Sequence, residues 1–128
     1  MTVLSTLLII LTASVSQAAP VSSGDIYMID GDTADIGGQR FRLVGYDTPE
    51  TSKPRCGHEK PLGTEATKRA RQLVDNAGRV EVVVLPGRDK YGRGLARFYV
   101  AGVDLGEILI SEGLARSYNG GRRSSWCK

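Results

Sequence analysis

The chain has 128 residues, 17 Lys plus Arg against 14 Asp plus Glu, and a single His. That length suits one domain, and the formal charge of +3 is too mild to argue by itself for a polyanionic partner. One His argues against metal centres built from several imidazoles and against His-based triads, while two Cys suit a disulfide if the chain is exported. Residues 1–18 carry no charged side chain and run from an apolar stretch into small polar residues. Ser16-Gln17-Ala18 fits the three positions before a cleavage site, so 1–18 reads as a signal peptide and 19–128 as the mature domain, exported to a periplasm or the medium. The apolar stretch is short for a membrane span, which needs roughly 20 residues, so the mature form is expected to be free of the membrane. The absence of Lys or Arg at the start departs from the signal pattern, and an uncleaved anchor is the alternative.

Residues 25–30 read as a first strand and 33–36 as a second, followed by Gly37-Gly38, a two-residue hairpin signal. The spacing predicts a third strand over 39–46, with Phe41 and Leu43 alternating against Arg40 and Arg42. Residues 47–62 hold three Pro, a Cys and many charges, and read as a loop. A helix is predicted over 65–77, with Ala66, Ala70, Leu73, Val74 and Ala77 on one face, Thr64 as its cap and Gly78 at its end. The β-branched run 79–85 and residues 94–100 read as strands around a turn at 86–93. Asp104 then caps a short helix with Glu107 at the capping-box position, and Gly113 ends it. Three strands, a helix, two strands and a helix is the plan of a five-stranded OB-fold barrel, an α+β fold.

Charge is unevenly spread. Six acids and two Arg fall between Asp25 and Glu50, whereas residues 113–128 hold four bases and no acid. Three segments carry candidate chemistry: Ile29-Asp30-Gly31-Asp32-Thr33, the run Phe41-Arg42-Leu43-Val44-Gly45-Tyr46-Asp47-Thr48-Pro49-Glu50-Thr51, and Asp89-Lys90-Tyr91-Gly92-Arg93-Gly94-Leu95-Ala96. Taken singly, each has an ordinary reading. Asp32 suits a turn after Gly31, and Asp47-Thr48 an Asx turn before Pro49. Glu50 suits a solvated loop, Arg42 an exposed strand face, and Lys90, Tyr91 and Arg93 a polar turn.

Together, in this order around a helix, the three segments resemble the staphylococcal nuclease (thermonuclease) family from about Tyr27 to Tyr118. The resemblance implies an OB-fold of that type, shortened at its C-terminus, and phosphodiester hydrolysis of DNA or RNA. It implies that Asp32, Asp47 and the Thr48 carbonyl bind calcium, a hard cation suited to oxygen donors. Arg42 and Arg93 would supply forked donors to phosphate oxygens, and Glu50 would take a proton from water or position it. Lys90, Tyr91 and Tyr118 would hold the substrate, and water attack with departure of the 5′-oxygen would leave 3′-phosphate ends. No zinc, nucleotide cofactor or protein partner is implied, and a monomer is expected. Tyr118, Arg122, Arg123 and Trp126 could stack bases and contact phosphates; a solvated basic tail is the alternative. The resembled fold also allows Cys56 and Cys127 to meet in a disulfide, with two free thiols as the alternative. The rival functions are an OB module that binds nucleic acid without cutting it and an interaction domain of the cell envelope. Degenerate members of the family usually lose the acid and arginine set, all of which is present here.

Overall fold

The computed structural model describes residues 8–11 and 18–127. Most of the expected signal segment, 1–18, lies outside the described residues. Among those described, no helix is long and apolar enough to cross a membrane. In chain order the elements are β1 (Ala19–Ser22), β2 (Ile26–Asp30), β3 (Thr33–Ile36), β4 (Gln39–Leu43), β5 (Gly45–Asp47), α1 (Glu59–Ala77), β6 (Arg79–Arg88), β7 (Gly94–Val100), β8 (Val103–Asp104), α2 (Leu105–Ser111) and β9 (Arg116–Tyr118).

The five strands expected from the sequence are β2, β3, β4, β6 and β7, and α1 falls between the third and the fourth. The main sheet runs β1-β6-β7-β4-β3-β2, with β8 on β7. It is mixed, because β4 and β7 pair in parallel, Phe41 to Gly94 and Leu43 to Ala96, while its other pairs are antiparallel. The sheet curls as a half-barrel about one core, the OB plan. Met28, Ala34, Phe41, Leu43, Val80, Val82, Ala96 and Phe98 fill it from the strands. Ala70 and Val74 of α1, with Leu105 and Leu109 of α2, close it. Alternation puts Phe41 and Leu43 inward, so Arg42 faces the opposite side.

Three local readings need correction. The stretch 39–46 is not one strand: Gly45 takes φ +92°, a left-handed angle that glycine tolerates. The Val44 N–H donates to the Ala96 carbonyl at 3.0 Å, and β5 leaves the main sheet to pair with β9. Helix α1 begins at Glu59 rather than at residue 65. Its Pro61 falls in the first turn, where a missing N–H leaves no bond unmade. Thr64 therefore lies within the helix and donates to the Lys60 carbonyl at 2.9 Å instead of capping it. Third, β6 continues to Arg88, through part of the expected turn. The expected cap of α2 is present: the Asp104 carboxylate accepts from the Gly106 and Glu107 N–H groups.

Candidate active site

The β2–β3 corner sets Asp32 at the head of β3, and the antiparallel register places Arg42 opposite Thr33. Asp32 is buried, and Arg42 Nη1 lies 2.5 Å from its Oδ2. The other end of the same guanidinium lies 3.7 Å from Asp47 Oδ1 and donates to the Tyr46 carbonyl at 2.9 Å. Asp47 is held at the end of β5. The Thr48 N–H that follows it donates to Asp32 Oδ2 at 3.1 Å. The buried Tyr46 ties this ribbon to the corner, its hydroxyl donating to the Gly31 carbonyl at 2.7 Å. Asp32, Arg42, Asp47 and Thr48 therefore form one bonded cluster, although the sequence offers a separate, ordinary reading for each: a turn for Asp32 and for Asp47-Thr48, an exposed strand face for Arg42.

Arg93 arrives from the β6–β7 turn. Asp89 accepts its backbone N–H at 2.9 Å and its Nε at 2.6 Å. Its Nη1 donates to the Thr33 hydroxyl at 3.4 Å, which places the guanidinium beside the corner that carries Asp32. Lys90 and Arg93 both lie over the Tyr91 ring, at 5.1 and 5.4 Å from its centre. Asp32, Thr33, Arg42, Asp89, Lys90, Tyr91 and Arg93 line one cleft of about 790 Å³, whose wall also includes Glu50, Leu95, Arg97, Tyr118 and Arg123; Asp47 and Thr48 stand behind it.

The C-terminal segment supplies contacts that sequence reasoning did not assign. From the sequence, Arg123 is expected only to contact phosphates or to lie in a solvated basic tail. In the structure its Nη2 donates to Asp47 Oδ1 and, at 3.4 Å, to the Thr48 carbonyl, and its Nη1 donates to Glu50 Oε1 at 2.7 Å. Cys56 and Cys127 are bridged, with their Cα atoms 5.7 Å apart. Arg116 stacks 3.9 Å from the centre of the Trp126 ring, so Trp126 packs against a side chain of its own chain. Tyr118 lines the cleft, and its hydroxyl donates to the Gly121 carbonyl at 2.8 Å.

Burial pushes the Asp30 carboxyl up to about 7, and the Asp32 carboxylate beside it acts in the same direction. Burial would raise Asp32 as well, but the Arg42 charge and bonds from Asp30 and the Thr48 N–H outweigh it and hold Asp32 below the usual carboxylate value. For Asp47 burial prevails, and its carboxyl is raised despite Arg123 and Arg42. Burial opposes the Arg123 charge, but bonds to Asp47 and Glu50 raise its guanidinium above the ordinary value.

Does this donor set fit a divalent cation? Among the described residues, no three carboxylate, imidazole or thiol side chains gather closely enough to hold an ion alone. What the cluster does offer is all oxygen: the carboxylates of Asp32 and Asp47, joined through one guanidinium, and the adjacent Thr48 carbonyl. Two carboxylates, a carbonyl and water form a hard-donor set of the kind calcium takes. Both acids are already neutralised by arginine cations, as buried carboxylates require.

A family model described as staphylococcal nuclease homologue matches residues 40–125, more than half of the chain. Endonuclease YncB of Bacillus subtilis (strain 168) is 45% identical over 94 residues, which is 69% of this chain and 44% of that protein. The thermonuclease of Staphylococcus hyicus is 38% identical over 111 residues, 83% of this chain and 64% of the relative. That of Staphylococcus intermedius is 39% identical over 98 residues, 76% and 55% respectively. The chain thus spans between 44% and 64% of the length of these relatives. The match takes in Arg42, Glu50 and Arg93, which line one cleft, and Asp47, which is paired with Arg42 beside it, and the chain belongs to the staphylococcal nuclease family.

Proposed function

We propose that this chain is a calcium-dependent nuclease that hydrolyses phosphodiester bonds of DNA or RNA and leaves 3′-phosphate ends. The observation that carries the reading is the convergence on one cleft of two forked cations, Arg42 and Arg93, with the acids Asp32 and Glu50. The names of the relatives, endonuclease and thermonuclease, support it. The end chemistry rests on the family resemblance.

Calcium held by Asp32, Asp47 and the Thr48 carbonyl would supply the positive charge that lets a phosphate approach these carboxylates. The chain's own groups do the rest. Arg42 and Arg93 donate to the phosphate oxygens as their charge grows. Glu50, in the wall of the cleft, accepts a proton from the attacking water or fixes its direction. The bond from water oxygen to phosphorus forms, and the bond from phosphorus to the 5′-oxygen breaks. Lys90, Tyr91 and Tyr118 line the approach and hold the substrate. The disulfide supports an exported site of action, since such bonds persist in oxidising compartments.

A DNA-gel zymogram run with calcium and with chelator tests this reading. A cleared band in calcium alone is expected. A band that persists in chelator overturns the metal assignment. A blank gel in both, with a retained gel shift on DNA, establishes a binding module instead.

A further inference from the structure

Arg123 occupies an unusual place. Its two terminal nitrogens meet the Asp47 carboxylate, the Thr48 carbonyl and the Glu50 carboxylate. Two of those groups are calcium donors in the reading above, and the third is the group that handles water. We propose that Arg123 is a built-in cation latch: in the absence of calcium it occupies the oxygens the ion needs, and it must lift away before the ion can bind. The inference rests on the calcium reading and extends it to regulation of the same site.

The argument is one of charge and geometry. A guanidinium bonded to both Asp47 and the Thr48 carbonyl cannot share those oxygens with a divalent ion, because two cations at that range repel strongly where water is scarce. The acids also need a cation whenever calcium is absent, since Asp47 is buried and an unpaired buried carboxylate is costly. Arg123 meets that need from outside the core. It is exposed, on a stretch between two anchors, the β9 strand ending at Tyr118 and the bridge at Cys127. The intervening Asn119-Gly120-Gly121-Arg122 and Ser124-Ser125 are all exposed, so the stretch can lift without opening the core once the bonds from Tyr118 to the Gly121 carbonyl and from Arg116 to the Ser125 carbonyl give way. The disulfide ties the tail to the loop that carries Glu50, which keeps Arg123 at high effective concentration over the acids.

Calorimetric titration with calcium ion, without nucleic acid, tests the latch on the oxidised protein, the reduced protein and the Arg123→Gln variant. A latch closed nine-tenths of the time weakens apparent affinity about tenfold. Arg123→Gln is therefore expected to bind calcium at least about tenfold more tightly than the oxidised protein. It should also melt at a lower temperature in chelator and gain more from added calcium. Reduction should move the unsubstituted protein toward the variant's affinity and leave the variant unchanged; no shift on reduction overturns the tether. Equal or weaker binding by the variant, with the unsubstituted protein still binding, overturns the latch and keeps the calcium reading. No binding by any form overturns both. Should Arg123→Gln fail to fold by circular dichroism, Arg123→Met, which also removes the charge, takes its place in the titration, and the same outcomes decide.

Discussion

Asp89 and Arg93 show how much of the cleft depends on single side chains. Asp89 accepts both the backbone and the side chain of Arg93, and so fixes the direction from which the guanidinium enters. Arg93→Ala and Glu50→Gln should each lose at least about 100-fold in turnover while staying folded, the scale for a transition-state donor or a general base. Arg93→Lys should also be poor, because an ammonium lacks the planar fork. His58→Ala is the control: its side chain makes no capping bond to α1 and its turnover should hold. Arg42→Ala differs in kind. Arg42 is paired in the buried cluster, so its loss should also cost about 3–5 kcal/mol of stability, and its turnover must be read where the variant is folded. Asp89→Asn should lower turnover about tenfold, within the 100-fold range that misplacement of a catalytic group produces. The Arg93 bonds outweigh burial and hold the Asp89 carboxyl below its usual value. Its contribution to stability is therefore present above that usual value and lost as pH falls through the lowered one. The gap in melting temperature between the protein and Asp89→Asn should close across that acid range; a gap that widens there contradicts the assignment. Most of these residues were legible in the sequence because three short runs, in this order around a helix, resemble one family; taken singly, each also suits an ordinary turn or strand face. Arg123 was not, because its partner Asp47 lies 76 residues away and only the path of the tail brings them together.

At the scale of elements, the approach of α1 to the loop after β5 decides where Glu50 stands. Gly63 makes that approach possible. A Cβ there would lie 2.6 Å from the Pro49 carbonyl oxygen and 3.0 Å from that of Glu50. Gly63→Ala must push this loop outward, at a cost of about 1–3 kcal/mol for overpacking. Thermal unfolding should show the loss, and turnover should fall with it although no cleft group is removed. Full turnover in a destabilised Gly63→Ala protein contradicts the view that α1 positions Glu50. The apolar face of α1 was readable from its spacing, and Ala66, Ala70 and Val74 are buried. Its start was not, because Pro, Cys and charge over residues 54–61 look like loop until the helix is seen to begin with Pro61 in its first turn. The short strands β1, β8 and β9 carry too few residues to show a period; long-range pairing makes them strands, β1 along β6 and β9 along β5.

For the molecule as a whole, the curled sheet supplies a rigid wall, and the tail closes over its acidic corner. The Cys56–Cys127 bridge spans a separation of 71 residues. Closing a loop of that size stabilises by about 4 kcal/mol in the chain-entropy model. Replacing both Cys with Ser should lower the melting temperature accordingly, and an unchanged melting curve would show that the tail adds nothing to the fold. The pairing was foreseeable because the chain holds two Cys; that the bridge brings an arginine over the acids was not. On the proposed function, this cleft cuts phosphodiesters with calcium. The most direct test is digestion of a 5′-labelled DNA oligonucleotide by the purified chain in calcium, magnesium or chelator, with the fragment ends analysed by mass. The predicted result is fragments ending in 3′-phosphate in calcium and none in chelator. Cleavage at full rate in chelator, or intact oligonucleotide in calcium with a folded protein, would contradict it.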